Sequence, residues 1–236
     1  MARTVDESAK ALRRDEFLDA AQRLLESKGY EQMSVQDVLA AVGASKGAFY
    51  HYFDSKQSLL EAVVERLADR TAVVLEPVVG RQEVAALDKL AGFFAALAGW
   101  KLQRRDLLAA LLNAWYSDDN ALLRQKLRAG IAERIAPLVA RIIEEGVQQH
   151  VFTAAHPEQF GRVVVSLIQD LNDRLAELML AAQRTGVGEF AQAEHAVVAY
   201  TQALERMLAA PPGSITLVDP AKLRPWFQPS SKGSRR

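Results

Sequence analysis

Helix-breaking residues are scarce over most of this 236-residue sequence, and their scarcity constrains the fold more than any other feature. Only three of the eight prolines, Pro77, Pro137 and Pro157, lie before residue 211. Apolar residues recur at intervals of three and four, which is the period of an amphipathic helix. No segment shows the sustained alternation of apolar and polar residues that is typical of a strand. The pattern predicts an all-α fold of about nine helices.

Composition excludes several classes of protein. The absence of cysteine rules out disulfides, thiolate metal sites and thiol catalysis. No run without Asp, Glu, Lys or Arg exceeds 12 residues, whereas a membrane-spanning helix needs roughly 20 apolar residues. The first residues are polar and contain no apolar core of a signal peptide. We therefore expect a cytoplasmic protein that does not contact membranes.

Motifs for catalysis are missing from the sequence. The four histidines, at positions 51, 150, 156 and 195, do not have the spacing of a helical metal pair. There is no nucleophile elbow and no phosphate-binding loop, and the glycines at 186 and 188 follow a predicted helix rather than a strand. We expect a protein that is not an enzyme and that uses no cofactor or metal.

Caps and glycines divide the first part of the chain into four predicted helices. The first covers about residues 11–28 and ends at Gly29. Ser34, with an acid three residues later, caps a short second helix that Gly43 closes. Ser45 caps a third helix, and a fourth begins near residue 55 and is expected to stop at Pro77.

Longer helices follow, at about residues 84–101, 106–116, 119–149, 157–183 and 189–209. Pro137 lies within the third of these and predicts a kink. We predict a helix-turn-helix domain with an N-terminal arm over residues 1–56 and a larger helical domain over residues 57–210. Residues 211–236 are predicted to form a mobile or surface-wrapping tail.

The segment 34–56 has the helix and turn lengths of a helix-turn-helix, whose second helix enters the major groove. Phe49 and Phe53 share one face of the third helix, and Lys46 and Tyr50 share another. The second face offers groups that can donate to phosphates and base edges. Spacing alone leaves an alternative open, because aromatic residues at helical spacing are usually core and a lysine near a helix start is usually solvated.

Residues 45–59 resemble a segment of the TetR family of bacterial transcriptional regulators. The agreement is closest at Gly47, Tyr50, Tyr52, Phe53 and Lys56, and the resemblance extends over about residues 13–60. Leu39 and Ala44 differ mildly from the family pattern. Ala48 stands where the family often has a threonine whose hydroxyl reaches a phosphate, a contact that alanine cannot make.

The resemblance implies a DNA-binding role for each matching position. It implies that Lys46, Gly47, Tyr50 and His51 face the groove, that Gln36 reaches a base edge, and that Ser34, Tyr52 and Lys56 hold phosphates. The predicted DNA-binding set is Ser34, Gln36, Ser45, Lys46, Gly47, Ala48, Tyr50, His51, Tyr52 and Lys56. Lys10, Arg13 and Arg14 could follow the DNA backbone or minor groove.

The charge of this region limits how it can bind DNA. Residues 1–66 contain nine basic and eleven acidic residues, a net charge of −2. DNA-binding domains are usually basic. The positive groups must therefore gather on one face, or affinity will be modest and strongly dependent on salt.

The resemblance also implies a C-terminal helical domain that forms a homodimer through its last two helices and often encloses a small molecule. The predicted ligand-binding residues are Phe94, Leu97, Trp100, Asn113, Trp115, Tyr116, Gln169, Asn172 and Asp173. The predicted dimer interface consists of Val164, Leu167, Leu171, Leu175, Leu178, Val197 and Leu204. The alternatives are that these apolar residues complete a monomer core and that the polar residues face solvent.

The leading hypothesis is a dimeric regulator, most simply a repressor, that binds a double-stranded DNA operator and is released by a small hydrophobic or amphipathic effector. A second hypothesis is a helical small-molecule-binding or scaffolding protein without DNA binding. A third is a DNA-binding regulator that has no small-molecule ligand.

Overall fold

The computed structural model describes residues 2–116, 121–185 and 190–227, apart from the side chains of residues 2–6, 113, 122, 123 and 183–185. Every regular element in these ranges is helical, as predicted. The helices are α1 (Ala2–Gln32), α2 (Val35–Val42), α3 (Lys46–Tyr50), α4 (Lys56–Val79), α5 (Ala86–Gln103), α6 (Arg105–Trp115), α7 (Ala121–Gln148), α8 (Pro157–Thr185), α9 (Phe190–Leu208) and α10 (Pro220–Leu223), followed by a 3-10 turn at Arg224–Phe227.

The helices form two compact units. The first contains residues up to Leu67 and from Asp106 to Leu127, and the second contains Ala68–Arg105 and the described residues from Arg128 onward. The first unit therefore extends along α4 beyond residue 56. The assignment of functional domains to 1–56 and 57–210 stays a prediction.

Local signals fix the helix ends in the first unit. Ser34 forms the predicted capping box, in which its Oγ accepts the Asp37 N–H at 3.2 Å and the Asp37 carboxylate accepts the Ser34 N–H at 2.8 Å. Gly43 closes α2 in the left-handed conformation, at φ 66° and ψ 40°. α1 bends at Gly29, whose φ of 76° and ψ of 169° favour glycine, and then continues to Gln32.

The second unit contains closely packed helices. α8 packs against α9, and α8 approaches α7 so closely at Gly161 that a Cβ there would lie 2.6 Å from the carbonyl oxygen of Ala136. The buried ammonium of Lys89 on α5 pairs with Glu145 on α7. Buried charges are tolerated when they are paired in this way.

Two boundaries differ from the sequence predictions. α1 begins at Ala2 rather than near residue 11. α4 passes through Pro77 and ends two residues later, at Val79. α7 runs through Pro137, where the sequence also predicts a helix interior, and the kink expected there stays a prediction.

Part of the predicted tail is packed. Ile215, Leu217 and Leu223 are buried, and the buried Glu205 accepts the Ile215 N–H at 3.1 Å. The ring of Phe227 meets that of Phe190 edge to face at 5.7 Å. Residues 211–227 therefore wrap onto the second unit, whereas residues 228–236 lie outside the described part of the chain.

Candidate DNA-binding surface

A layer of aromatic rings holds α3 in place. Phe49 and Phe53 are buried, with ring centroids 5.6 Å apart, and both contact Phe17 of α1 edge to face, at 5.8 and 6.1 Å. Ser45 caps the helix by accepting the Ala48 N–H at 3.2 Å. A helix of five residues is not stable alone, so this packing holds it in position.

The other face of α3 is open to solvent. Tyr50 is 47% exposed, Lys46 and His51 are exposed, and the Lys46 Nζ lies 5.9 Å from the centre of the Tyr50 ring. A Cβ on Gly47 would meet only the Ser45 Oγ, at 4.0 Å. The fold therefore does not require glycine at position 47. Because Gly47 has no side chain, the helix backbone is accessible there. We call Lys46, Gly47, Tyr50 and His51 the exposed face of α3.

At the start of α2, one predicted DNA-binding residue is exposed to solvent and the other caps the helix. Gln36 is exposed, as its predicted role requires. The Ser34 hydroxyl donates to Asp37 at 2.5 Å within the capping box, and its contact with a phosphate stays a prediction. Lys28 contacts the same carboxylate at 2.6 Å, and these hydrogen bonds, with that from Lys28 the strongest, hold the pKa of Asp37 well below its usual range.

The other two residues predicted to contact phosphates, Tyr52 and Lys56, contact other side chains or backbone groups of the protein. Tyr52 is half-buried beside Phe17, at 5.8 Å between ring centroids. The Lys56 ammonium lies 4.1 Å from the centre of the Tyr30 ring and 3.4 Å from the carbonyl oxygen of Glu31. The sequence analysis missed Tyr30, because a contact between α1 and α4 leaves no local pattern. Burial, with smaller effects of nearby glutamates, raises the pKa of Tyr30.

Several acidic residues of α1 are paired with basic side chains. Arg66 of α4 contacts Asp19 at 2.8 Å and Asp15 at 3.5 Å, both on α1. The Arg14 guanidinium lies over the Phe53 ring at 5.6 Å, and Arg13 pairs with Glu16. α3 itself contains no acidic residue. The positive charge of Lys46 is therefore not opposed by an acid on its own helix.

The predicted ligand residues of the second unit include a polar cluster. Asn172 of α8 accepts a hydrogen bond from the Lys101 Nζ of α5 at 2.9 Å. Asp173 pairs with Arg128 of α7, whose carbonyl oxygen accepts from the Gln169 Nε2 at 2.9 Å. The sequence analysis identified the three α8 residues but missed Lys101 and Arg128, because single charges at the edge of apolar stripes look solvent-facing.

The apolar residues of the predicted ligand set differ in how deeply they are buried. Phe94 is buried edge to face against Phe93, and Leu97 is half-buried. Trp100 is 6% exposed and its indole N–H has no hydrogen-bond partner. Burial without an acceptor costs free energy, so Trp100 is a better candidate for a ligand contact than an ordinary core residue.

The other predicted ligand residues belong to the first unit. The carbonyl oxygen of Trp115 accepts from the Arg124 Nη1 at 2.5 Å, and the guanidinium of Arg124 lies 5.5 Å from the centre of the Tyr116 ring. The side chain of Asn113 lies outside the described residues. The ligand role of all nine residues stays a prediction.

The residues predicted for the dimer interface lie mostly inside the chain. Val164, Leu171, Leu175, Leu178, Val197 and Leu204 are buried within a single chain, and Leu167 is half-buried. They pack α8 and α9 into the second unit of their own chain. An apolar stripe does not reveal whether its partner is its own chain or another, so their role in a dimer interface stays a prediction.

A helix-turn-helix whose second helix exposes a lysine and a tyrosine, joined to a second helical unit, is the architecture of helix-turn-helix regulatory proteins. Comparisons with known proteins agree. Residues 17–63 match the family model described as bacterial regulatory proteins, tetR family. The chain is 37% identical over 89 residues to the HTH-type transcriptional repressor ComR of Escherichia coli, a match that covers 38% of this chain and 42% of ComR.

Solved structures share the fold. A TetR-family transcriptional regulator from Pectobacterium atrosepticum is similar with a TM-score of 0.63 and 20% identity, covering 86% of this chain and 98% of that one. A complex of SmeT with triclosan is similar with a TM-score of 0.55 and 18% identity, covering 88% and 98%. The first curated relatives are matched over less than half of their length. Residues 17–63 are therefore similar to the tetR family of bacterial regulatory proteins, and solved structures of that family share the fold of the described chain.

Proposed function

We propose that this protein is a homodimeric transcriptional regulator that binds a specific double-stranded DNA operator, acts as a repressor, and leaves the operator when a small molecule binds. The exposed face of α3 is the observation that carries the proposal. Its Lys46 ammonium and Tyr50 hydroxyl can donate to phosphates and base edges, while Phe49 beneath them fixes the helix. The names of relatives such as ComR support repression.

A homodimer gives the protein two such helices. Two heads in successive major grooves bind half-sites with centres about 34–36 Å apart. Because most of the α8 and α9 residues predicted for the dimer interface are buried within the chain, we assign the dimer contact to the outward side of the same two helices. Val163 of α8 is 49% exposed and Val198 of α9 is 54% exposed. Large exposed apolar side chains on a helix pair are typical of a subunit interface.

A ligand in the second unit would control DNA binding through α4. The first part of α4 belongs to the first unit and its second part to the other. The ligand need only prefer the spacing of heads that does not fit the operator, and full switching from 1:99 to 99:1 requires a preference of about 5.5 kcal/mol. The triclosan complex of SmeT supports a small-molecule effector. The absence of a described helix that is long and apolar enough to span a membrane is compatible with a cytoplasmic regulator.

Selection of bound fragments from genomic DNA tests the proposal. Wild type should enrich a palindromic sequence, and fluorescence anisotropy should give at least tenfold weaker binding for the double variant Lys46→Ala with Tyr50→Ala. Arg23→Ala removes one exposed positive charge from α1 and should change affinity little. Equal binding by wild type and the double variant would refute the role of α3.

Two further results would favour the other hypotheses. If no fragment is enriched and ligands still raise the melting temperature, the chain is a small-molecule-binding protein without DNA binding. If an operator is found but no small molecule alters its binding, the regulator has another signal. Light scattering of Val163→Asp with Val198→Asp tests the dimer, because charges on that surface should leave a monomer.

A further inference from the structure

One half-buried cation of the second unit, Lys101, has no anionic partner among the described residues. The Lys101 Nζ on α5 donates to the neutral Asn172 amide oxygen at 2.9 Å, and no carboxylate of the described residues pairs with it. Removal from water lowers the pKa of this ammonium to about 8. Two other cations of the second unit are paired, the buried Lys89 with Glu145 and the half-buried Arg128 with Asp173. Lys101 differs from them because it contacts only a neutral group.

Lys101 and its chain neighbour Trp100 both have hydrogen-bond donors that no described residue accepts. The ammonium has three hydrogens, of which Asn172 accepts one, and the Asn172 amide has its own N–H groups. The preceding residue, Trp100, has a buried indole N–H with no partner. The guanidinium of Arg104, the residue that follows α5, lies over the Trp100 ring at 4.5 Å and forms no ion pair with a described residue.

A ligand that binds beside Lys101 must supply acceptors and negative charge, since the ammonium has donors that no described residue accepts and has no anionic partner among the described residues. A carboxylate supplies only acceptors. Its single charge also matches one ammonium, whereas a doubly charged phosphate would leave a second charge to be desolvated.

We propose that Lys101 and Asn172 bind the carboxylate of a small organic acid, with the Trp100 ring against its apolar part. This deepens the proposed function and rests on it in one respect only, namely that the acid serves as the effector. Binding of the acid itself is independent of DNA.

The test uses octanoate, benzoate and phenylacetate with the full-length protein at pH 7. Each acid is compared with its primary amide, which has the same shape without the charge, and benzoate is also compared with phenyl phosphate. We expect at least one carboxylate to raise the melting temperature of wild type by several degrees while its amide does not. Calorimetry should give at least tenfold weaker binding for Lys101→Met, and Lys101→Arg should restore much of the affinity. Lys126→Met, an exposed lysine of α7, should respond like wild type.

Several outcomes would overturn the proposal: no shift with any carboxylate, equal shifts with acid and amide, a larger shift with phenyl phosphate than with benzoate, or a response retained in Lys101→Met. The operator measurement is separate. The effective acid should weaken operator binding by wild type at least tenfold and by Lys101→Met much less. If the acid binds through Lys101 but leaves operator binding unchanged, the site stands and its role as the effector site fails. If wild type binds no operator, the proposed function fails while calorimetry still decides the site.

Discussion

Replacement of Gly47 should change stability and DNA affinity in opposite directions. The protein has no atom close to the Gly47 Cα on its outer side, since an added Cβ meets only the Ser45 Oγ at 4.0 Å. Gly47 lies within α3, where alanine is favoured over glycine by about 0.5–1 kcal/mol. For a chain of this size the Gly47→Ala variant should therefore melt about 1–4 °C higher than wild type.

DNA affinity should fall in the same variant. If the DNA backbone packs directly on Gly47, an added methyl group overpacks that contact at a cost of about 1–3 kcal/mol. Affinity should then decrease roughly 5- to 100-fold. A larger side chain enlarges the clash without altering helix propensity much, so Gly47→Leu should bind more weakly still.

Thermal unfolding and fluorescence anisotropy on the selected operator measure the two effects. The salt concentration must be held constant, because phosphate contacts make affinity steeply dependent on salt. Undiminished affinity in both variants would mean that DNA does not approach this position. A lower melting temperature would instead contradict the open surface around Gly47.

Three further variants test the packing and the electrostatics. Phe49→Ala should lower the free energy of unfolding, measured with urea, by about 3–5 kcal/mol because it removes a fully buried ring. Tyr50→Ala, on the exposed face, should lower it by about 0.5 kcal/mol or less. Equal losses in the two variants would contradict a helix with one buried and one exposed face. Gly161→Ala should destabilise by about 1–3 kcal/mol, because its Cβ would lie 2.6 Å from the Ala136 carbonyl oxygen; an unchanged melting temperature would contradict that close approach. The pKa of Lys101 is lowered from 10.5 to about 8 on folding, so wild type should gain stability relative to Lys101→Met as the pH rises from 8 to 10.5; parallel curves over this range would show that the ammonium is solvated.

The sequence predicted the local structure of α2 and α3 well. Ser34, Gly43 and Ser45 fix helix ends through contacts within three or four residues, and such contacts follow directly from residue type. The opposite faces occupied by Phe49 and Tyr50 follow from helical period alone. The Lys56–Tyr30 contact did not follow, because it joins residues from different helices.

Helical period, turn residues and caps therefore determined which segments of this protein are helices and which side of α3 is apolar, since each depends on neighbours along the chain. Tertiary packing alone decided that the apolar stripes of α8 and α9 belong to the core and that Lys101 meets a neutral amide. The physical reason is that burial and pairing depend on residues brought together from distant positions, while a periodic pattern records only that a face is apolar and not what covers it.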